Sequence, residues 1–307
     1  MNDKLKIKKG NDMKGKICLV TGASRGIGFY VARGLAARGA FVVMVGHHQM
    51  RGERASRKIN AFIWENSTDF MMADLSSQEQ IREFTESFRE RYDRLDVLVN
   101  NAGGFFLRRR ESVDGIEMTL ALNHLNYFMT TLLLMDVLMA GDSPRVVNVA
   151  SEAHRKAELN FEDLQFENGY SGMQAYNQSK LANLLFSYEL SRRLMDTNIT
   201  VNALHPGFIN THLGKQNRLV QMVMDPVHAL LANSPQKGAE TPVYLATSKD
   251  VEGVTGQYFI KKEPVRSSGA SYDLETAERL WKVSADLCAL DGGVIKVINS
   301  ESDLLYT

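Results

Sequence analysis

Short apolar runs alternate with amphipathic stretches along most of this 307-residue chain. The runs predict strands at 16–21, 41–45, 69–73, 95–99, 145–150, 199–204 and 254–260. Apolar positions at helical spacing lie between them, and the longest such stretches are 115–139 and 175–194. Strands that are apolar throughout, rather than at every second residue, are typical of a parallel sheet covered on both faces. The pattern therefore predicts an α/β fold.

No linker, repeat or low-complexity block interrupts this alternation, so we predict one domain over residues 15–290. Residues 1–14 are charged and polar and predict a flexible N-terminal extension, and 291–307 form a C-terminal tail. The least regular part, 207–235, is the expected mobile cover over a substrate site.

Charge and cysteine content exclude several classes of protein. Lys plus Arg and Asp plus Glu are each 36, and this zero net charge argues against a nucleic-acid partner. The two cysteines, Cys18 and Cys288, fit a reducing compartment, and their spacing matches no zinc site. We expect a cytoplasmic protein without an integral membrane segment, because no apolar run approaches about 18 residues. Attachment to a surface through the Lys-rich start is an alternative to a solvated tail.

The first predicted strand runs into the sequence TGASRGIG at 21–28, which then opens a helix. Glycines in such a turn let the backbone approach a ligand, and the helix N-terminus favours a pyrophosphate. We therefore predict a dinucleotide site rather than a turn that only packs a helix on a strand. Its predicted contacts are Gly22, Ser24, Arg25, Gly26, Ile27 and Gly28.

The Gly-x-x-x-Gly-x-Gly spacing resembles that of the short-chain dehydrogenase/reductase family. Further motifs of that family follow in order, namely Asp74-Leu75, Asn100-Asn101-Ala102-Gly103, Asn123, Ser151, Tyr176-x-x-x-Lys180 and Pro206-Gly207. Residues 122–125, 150–154, 179–183 and 267–273 look closest to its retinol-dehydrogenase-like branch. The resemblance implies an oxidoreductase with a single doubly wound Rossmann domain and a central parallel sheet of about seven strands.

The catalytic residues that the resemblance implies are Asn123, Ser151, Tyr176 and Lys180. Tyr176 and Lys180 are four residues apart and share one face of a helix. A free phenol has a pKa of about 10, and a nearby ammonium group lowers it. The resemblance makes Tyr176 the acid/base, with Lys180 lowering its pKa and binding the nicotinamide ribose. It implies that Ser151 binds the substrate oxygen and that Asn123 holds the backbone and a water.

The cofactor contacts beyond the glycine turn also come from the resemblance. Asp74 and Leu75 are expected at the adenine, with Asn100, Asn101, Ala102 and Gly103 on the adenosine side. The remaining expected contacts are His47, Tyr176, Lys180, Pro206, Gly207 and Thr211.

The end of the second strand bears on the choice of cofactor. Val45-Gly46-His47-His48 brings no acidic residue before Glu53, whereas an NAD site uses a carboxylate there for the ribose. Arg25 and Arg51 are cations suited to a 2′-phosphate. We therefore favour NADP(H) over NAD(H), although His47 stands where NADP-using relatives often have Arg.

The sequence leaves the substrate open among retinoids, steroids, lipid aldehydes and xenobiotic ketones. Candidate residues for an apolar pocket are Phe105, Phe106, Tyr170, Phe208 and 219–224, and core packing of the Met-rich run is an equal alternative. Two other functions remain open, an NAD-dependent alcohol dehydrogenase and a non-catalytic dinucleotide-binding sensor or scaffold. By resemblance, a homodimer would form through the helices at 115–139 and 175–194.

Overall fold

The computed structural model describes residues 10–207 and 234–290. Eight strands form its sheet, in the order β3-β2-β1-β4-β5-β6-β7-β8. They are β1 (Ile17–Thr21), β2 (Phe41–Gly46), β3 (Thr68–Met72), β4 (Val97–Asn100), β5 (Arg145–Val149), β6 (Thr200–His205), β7 (Tyr258–Ile260) and β8 (Glu263–Pro264). Neighbouring strands from β3 to β7 are parallel, and β8 pairs antiparallel with β7. The predicted doubly wound α/β fold is confirmed, with one short strand added at the edge.

The helices that cover the sheet alternate with the strands. They are α1 (Gly26–Ala36), α2 (Gln49–Ile63), α3 (Gln78–Arg91), α4 (Met118–Leu120), α5 (Asn126–Leu133), α6 (Met135–Met139), α7 (Gly172–Arg193), α8 (Pro235–Gly238), α9 (Glu240–Thr247) and α10 (Leu274–Leu287). Across the described ranges, 10–207 and 234–290, no helix combines the length and apolar character needed to cross a bilayer.

Successive side chains of each strand pack on opposite faces of the sheet, so the core is divided into two clusters. Leu19 and Val43 pack in one cluster with residues of α3, α5 and α7. Their neighbours Cys18 and Val42 pack in the other cluster with residues of α1, α2 and α9. Successive side chains of a strand point to opposite faces, so a strand between two helical layers must be apolar throughout.

Residues 10–14 differ from the prediction of a flexible extension. The Gly10 amide donates to Ala37 O at 3.2 Å, and the Met13 amide donates to Arg38 O at 3.0 Å. Met13 is 5% exposed and packs in the core beside α1. This segment is therefore part of the domain, because it closes the end of α1.

The predicted helix over 115–139 is broken into several pieces. A π-helix at Ala121–Leu125 separates α4 from α5, and Leu134 breaks the helix again before α6. A π-helical turn inserted in an α-helix is often found at a functional site. Here it carries Asn123, one of the predicted catalytic residues.

The homodimer predicted through the two long helices is not supported. Residues 177–190 of α7 are buried without a break within a single chain, so no side of that stretch remains for a partner. One side is covered by α10, whose Trp281 packs on Phe186 of α7 and Phe128 of α5, with ring centroids 6.0 and 5.0 Å away. The chain's own α10 thus lies over helices that the prediction assigned to a second copy.

Candidate active site

The glycine turn lies at the carboxyl end of β1, where it passes into α1. Gly22 has φ +65°, and a Cβ there would lie 2.9 Å from Ala102 Cα. A Cβ on Gly28 would lie 2.5 Å from both Gly22 O and Asn101 Nδ2. Gly22 and Gly28 therefore allow α1 to pack closely against the loop that follows β4.

Gly26 has a different environment from the other two glycines. Its φ is +61°, and a Cβ there would meet no described atom within 4 Å. The cap residue, Arg25, makes no side-chain hydrogen bond to the first turn of α1, which also contains no acidic residue. An open approach to uncapped N–H groups fits the phosphates of a dinucleotide.

The loop after β4 is tied to the glycine turn by Thr21. The Thr21 hydroxyl accepts from the amides of Asn101 at 2.9 Å and Ala102 at 3.0 Å, and Asn101 Nδ2 donates to Thr21 O at 2.8 Å. Gly103 follows at the surface. Asn100, in contrast, points into the core, where its Nδ2 donates to Asn148 Oδ1 at 2.9 Å. The Asn100 side chain is therefore directed away from the adenosine side on which it was expected, while Thr21 is a positioning residue that the family motifs do not include.

Other predicted cofactor residues line the same carboxyl edge of the sheet. Arg25 and His47 are exposed, Ser24 and Ile27 are half-buried, and the Ser24 hydroxyl lies beside Gly46 at the end of β2. The carboxylate of Glu53 is directed along α2, where it accepts from Gln49 and pairs with Arg57.

The segment after β3 presents only one of its two predicted contacts at the surface. Asp74 is exposed, and its carboxylate accepts from the amide and hydroxyl of Ser76 at 3.0 and 2.7 Å. Leu75 is 4% exposed and packs in the core. After β6, Pro206 and Gly207 are half-buried and Gly207 has φ +88°, whereas Thr211 lies outside the described residues.

Ser151 and Tyr176 meet at the centre of this edge. Ser151 follows β5, Tyr176 lies in the second turn of α7, and the Ser151 hydroxyl is close enough to the phenol to affect its pKa. Burial raises the pKa of Tyr176 above its ordinary 10, and the Ser151 hydroxyl partly opposes this effect. The ring of Phe105 packs edge-on against Tyr176, with centroids 5.7 Å apart.

Lys180 lies one turn further along α7 and is 4% exposed. Its Nζ donates to Val149 O at 3.0 Å and lies 5.7 Å from the centroid of the Tyr176 ring. Burial lowers the pKa of Lys180 from 10.5 to about 7. This differs from the expected pair, in which an ammonium group lowers the tyrosine pKa, because desolvation disfavours the charged form of both groups.

Asn123 connects the π-helix to the site. Its Oδ1 accepts from the Gly104 amide at 2.7 Å, and its Nδ2 donates to Gly104 O at 3.0 Å and to the Ser179 hydroxyl at 3.0 Å. A Cβ on Gly103 would lie 3.1 Å from Asn123 Oδ1 and 3.9 Å from Lys180 Nζ. Asn123 thus holds the backbone beside Lys180.

An apolar surface adjoins Tyr176. Phe106 and Leu107 lie against Gly172 at the start of α7, and Leu107 is 44% exposed. Met173, one turn before Tyr176, is 58% exposed. Tyr170 fixes this region through its hydroxyl, which donates to Phe106 O at 2.9 Å. Phe208 and residues 219–224 lie outside the described residues.

Comparisons with known proteins agree with this geometry. Residues 16–221 match the family model described as short chain dehydrogenase. The chain is 37% identical over 286 residues to mouse retinol dehydrogenase 14, covering 89% of this chain and 85% of the relative. It is 35% identical over 282 residues to human polyprenol dehydrogenase, covering 89% and 84%.

A solved structure shows the same fold. A protein from Mycobacterium paratuberculosis, described as putative and uncharacterized, is 32% identical with a TM-score of 0.74, covering 90% of this chain and 94% of its own. The chain belongs to the short-chain dehydrogenase family, within its retinol-dehydrogenase-like branch, and is an oxidoreductase that acts on CH–OH groups.

Proposed function

We propose that this enzyme transfers a hydride between NADP(H) and an apolar carbonyl or alcohol substrate, with Tyr176 as the acid/base. The observation that carries the proposal is the contact between Ser151 and Tyr176 at the carboxyl edge of the sheet, with Lys180 one helical turn away. Ligands of open α/β sheets bind at that edge. The non-catalytic alternative is disfavoured because all three groups converge at one point.

The protein's part in the reaction is to bind the carbonyl and move one proton. The bound nicotinamide supplies the hydride for reduction, or accepts it for oxidation. In reduction, the Tyr176 hydroxyl gives its proton to the substrate oxygen, which also accepts a hydrogen bond from the Ser151 hydroxyl. Ser151 and Lys180 then stabilise the phenolate that remains, because a hydrogen bond or a nearby positive charge favours the charged form. Oxidation follows the same steps in reverse.

The preference for NADP(H) rests on the surroundings of α1 and α2. Arg25 is exposed at the start of α1, and the first turn of α2 contains no acidic residue. The carboxylate of Glu53 is already engaged by Gln49 and Arg57 of its own helix. A guanidinium without a competing carboxylate favours a 2′-phosphate.

An apolar substrate fits the surface beside Tyr176. Leu107 and Met173 are large apolar side chains left substantially exposed, and Phe105 packs on the tyrosine ring itself. Exposed apolar patches on a soluble domain often mark ligand sites. The relatives named for retinol and polyprenol carry names of apolar alcohols.

The test is Tyr176→Phe, assayed by NADPH absorbance with the best substrate from a panel of retinoid, steroid and aliphatic carbonyls. The ring is retained and only the proton donor is lost, so we expect kcat to fall about 10²–10⁴-fold with the NADPH dissociation constant unchanged. Tyr92→Phe is the matched control, because the Tyr92 ring packs on Phe41 at the start of β2, the opposite edge of the sheet, and its hydroxyl bonds Asp69. Retention of more than about a tenth of the wild-type rate by Tyr176→Phe is incompatible with the mechanism.

A further inference from the structure

His154 is a buried histidine that uses both ring nitrogens beside Ser151. It lies in the 3₁₀-helix Glu152–Lys156 that follows Ser151, and it is 0% exposed. Its Nδ1 is 2.6 Å from Ser151 O, and its Nε2 is 3.1 Å from the backbone nitrogen of Ser268. The ring packs edge-on against Tyr258, with centroids 5.1 Å apart. The imidazole therefore bridges the active site and a loop more than a hundred residues away.

The chemistry of the two partners fixes the tautomer. A backbone amide can only donate, so Nε2 must present its lone pair to Ser268. The ring proton is then on Nδ1, which donates it to the carbonyl of Ser151. Burial also lowers the pKa of His154, so the neutral ring required by this arrangement is favoured. Because Nε2 accepts from the Ser268 amide, Nδ1 carries the proton and donates it to Ser151 O.

The loop that holds Ser268 is anchored to α7. The hydroxyls of Tyr188 and Ser267 lie 2.7 Å apart, as do those of Ser267 and Ser271. Ser271 donates to Ser268 O at 2.6 Å. Each of these contacts is buried or partly buried, and together they connect the seventeenth residue of α7 to Ser268.

We propose that His154 is a positioning residue that sets the place of Ser151 relative to Tyr176. Tyr176 is carried directly by α7, and Ser151 is connected to the same helix through His154, Ser268 and the hydroxyls that reach Tyr188. The proposal rests on the proposed function, because it assigns the bridge a role in that reaction. A misplacement of about 1 Å in such a site costs up to about 100-fold in rate.

The local bonds of Ser151 explain why this support is needed. Its hydroxyl accepts from the Ala153 amide at 3.2 Å and lowers the pKa of Tyr176. Both contacts depend on the backbone conformation at the turn from β5 into the 3₁₀-helix. The Ser151 carbonyl also accepts the His154 amide at 3.2 Å, so the shorter imidazole bond is its stronger restraint.

Three substitutions separate the two halves of the bridge. H154N places an amide nitrogen near the position of Nδ1 and retains the donor to Ser151. H154Q places an amide oxygen near the position of Nε2 and retains only the acceptor for Ser268. H154F retains the ring and its packing on Tyr258 but neither hydrogen bond.

We expect H154F and H154Q to lower kcat about 10–100-fold, with KM and the dissociation constant for NADPH within twofold of wild type. H154N is expected to be slowed to a similar degree, because it loses the contact with Ser268 and so disconnects Ser151 from α7. Phe88→Leu is the control for lost stability, because Phe88 is fully buried in α3. We expect it to lower Tm by a comparable amount and to leave kcat unchanged. The inference is wrong if H154F keeps kcat within threefold, or if H154N keeps the wild-type kcat, because the connection to Ser268 is then not needed.

A second measurement does not require turnover. In protein labelled with ¹³C at tyrosine Cζ, the Tyr176 resonance is the one missing from Tyr176→Phe. The Ser151 hydroxyl favours the phenolate, so Ser151→Ala raises the Tyr176 pKa. H154F and H154N both disconnect Ser151 from α7, so each must raise it as well. An unchanged titration in H154F overturns the inference even if the enzyme is active. If the variants show these shifts in the Tyr176 pKa but the wild type reduces no carbonyl compound, only the proposed function is contradicted.

Discussion

Lys180→Met should stabilise the cofactor-free enzyme while abolishing its activity. Lys180 is 4% exposed, and burial lowers its pKa from 10.5 to about 7. Each pKa unit corresponds to about 1.4 kcal/mol, so this lowering means that burying the charged amine costs about 5 kcal/mol of folding free energy. Losing the hydrogen bond from Nζ to Val149 O costs about 1 kcal/mol in return. We expect a net gain of about 2–4 kcal/mol near pH 7, as an order of magnitude.

The sign of the pH dependence follows from the direction of the pKa change. Between pH 7 and 10.5 the unfolded chain retains a proton on Lys180 that the folded chain has released. The unfolded state therefore binds more protons, and the stability of the wild type rises with pH across this window. Lys180→Met lacks this titrating amine, so the excess of its free energy of unfolding over that of the wild type must shrink as the pH rises.

The assay is urea unfolding of the cofactor-free protein at pH 7 and pH 9.5, with Lys58→Met as the control because Lys58 is exposed on α2. The control removes a lysine without removing a buried amine. The reasoning is refuted if Lys180→Met is less stable than the wild type at pH 7, or if the difference between them does not change with pH.

Three further predictions concern the cofactor turn and the core. Arg25→Ala should raise the NADPH dissociation constant about tenfold and leave that of NADH unchanged, in titrations at fixed salt, since only NADPH carries a 2′-phosphate; equal effects on both would contradict the assigned role. Gly28→Ala should cost about 1–3 kcal/mol in urea unfolding, because its Cβ would lie 2.5 Å from Gly22 O, and a neutral effect would show that α1 can shift away. Trp281→Ala should cost about 3–5 kcal/mol by removing the packing of α10 on α7, without changing NADPH affinity, and a weakened affinity would show that α10 supports the site.

Much of the fold was predictable because the strands are buried on both faces. The run from Phe41 to Val45 has no polar interruption, and the structure places its residues alternately in the two core clusters. Strand β8 was not predictable, because Glu263–Pro264 is a two-residue pair with exposed side chains and no apolar pattern. The break at Ala121–Leu125 was also missed, since a π-turn changes the hydrogen bonds of a helix without removing its apolar residues.

The candidate site was predictable in its residues but less so in its electrostatics. The spacing of Tyr176 and Lys180 places them on one helix face, and the structure places Tyr176 beside Ser151 and Lys180 Nζ 5.7 Å from the Tyr176 ring. The expected lowering of the tyrosine pKa is not present, because desolvation depends on what surrounds the pair in space. The order of residue types along the chain does not show how deeply the titrating atoms of Tyr176 and Lys180 are buried.

The sequence by itself determined what needs only local spacing, namely the parallel α/β fold, the glycine turn at the start of α1 and the helix that carries Tyr176. Tertiary structure decided what depends on contacts between distant segments. It placed α10 across the face of α7 that the family resemblance assigned to a partner, and it joined His154 to Ser268 across 114 residues. Apolar periodicity shows that a face is buried but not which element buries it, because helices of the same chain and of a second copy satisfy the same pattern.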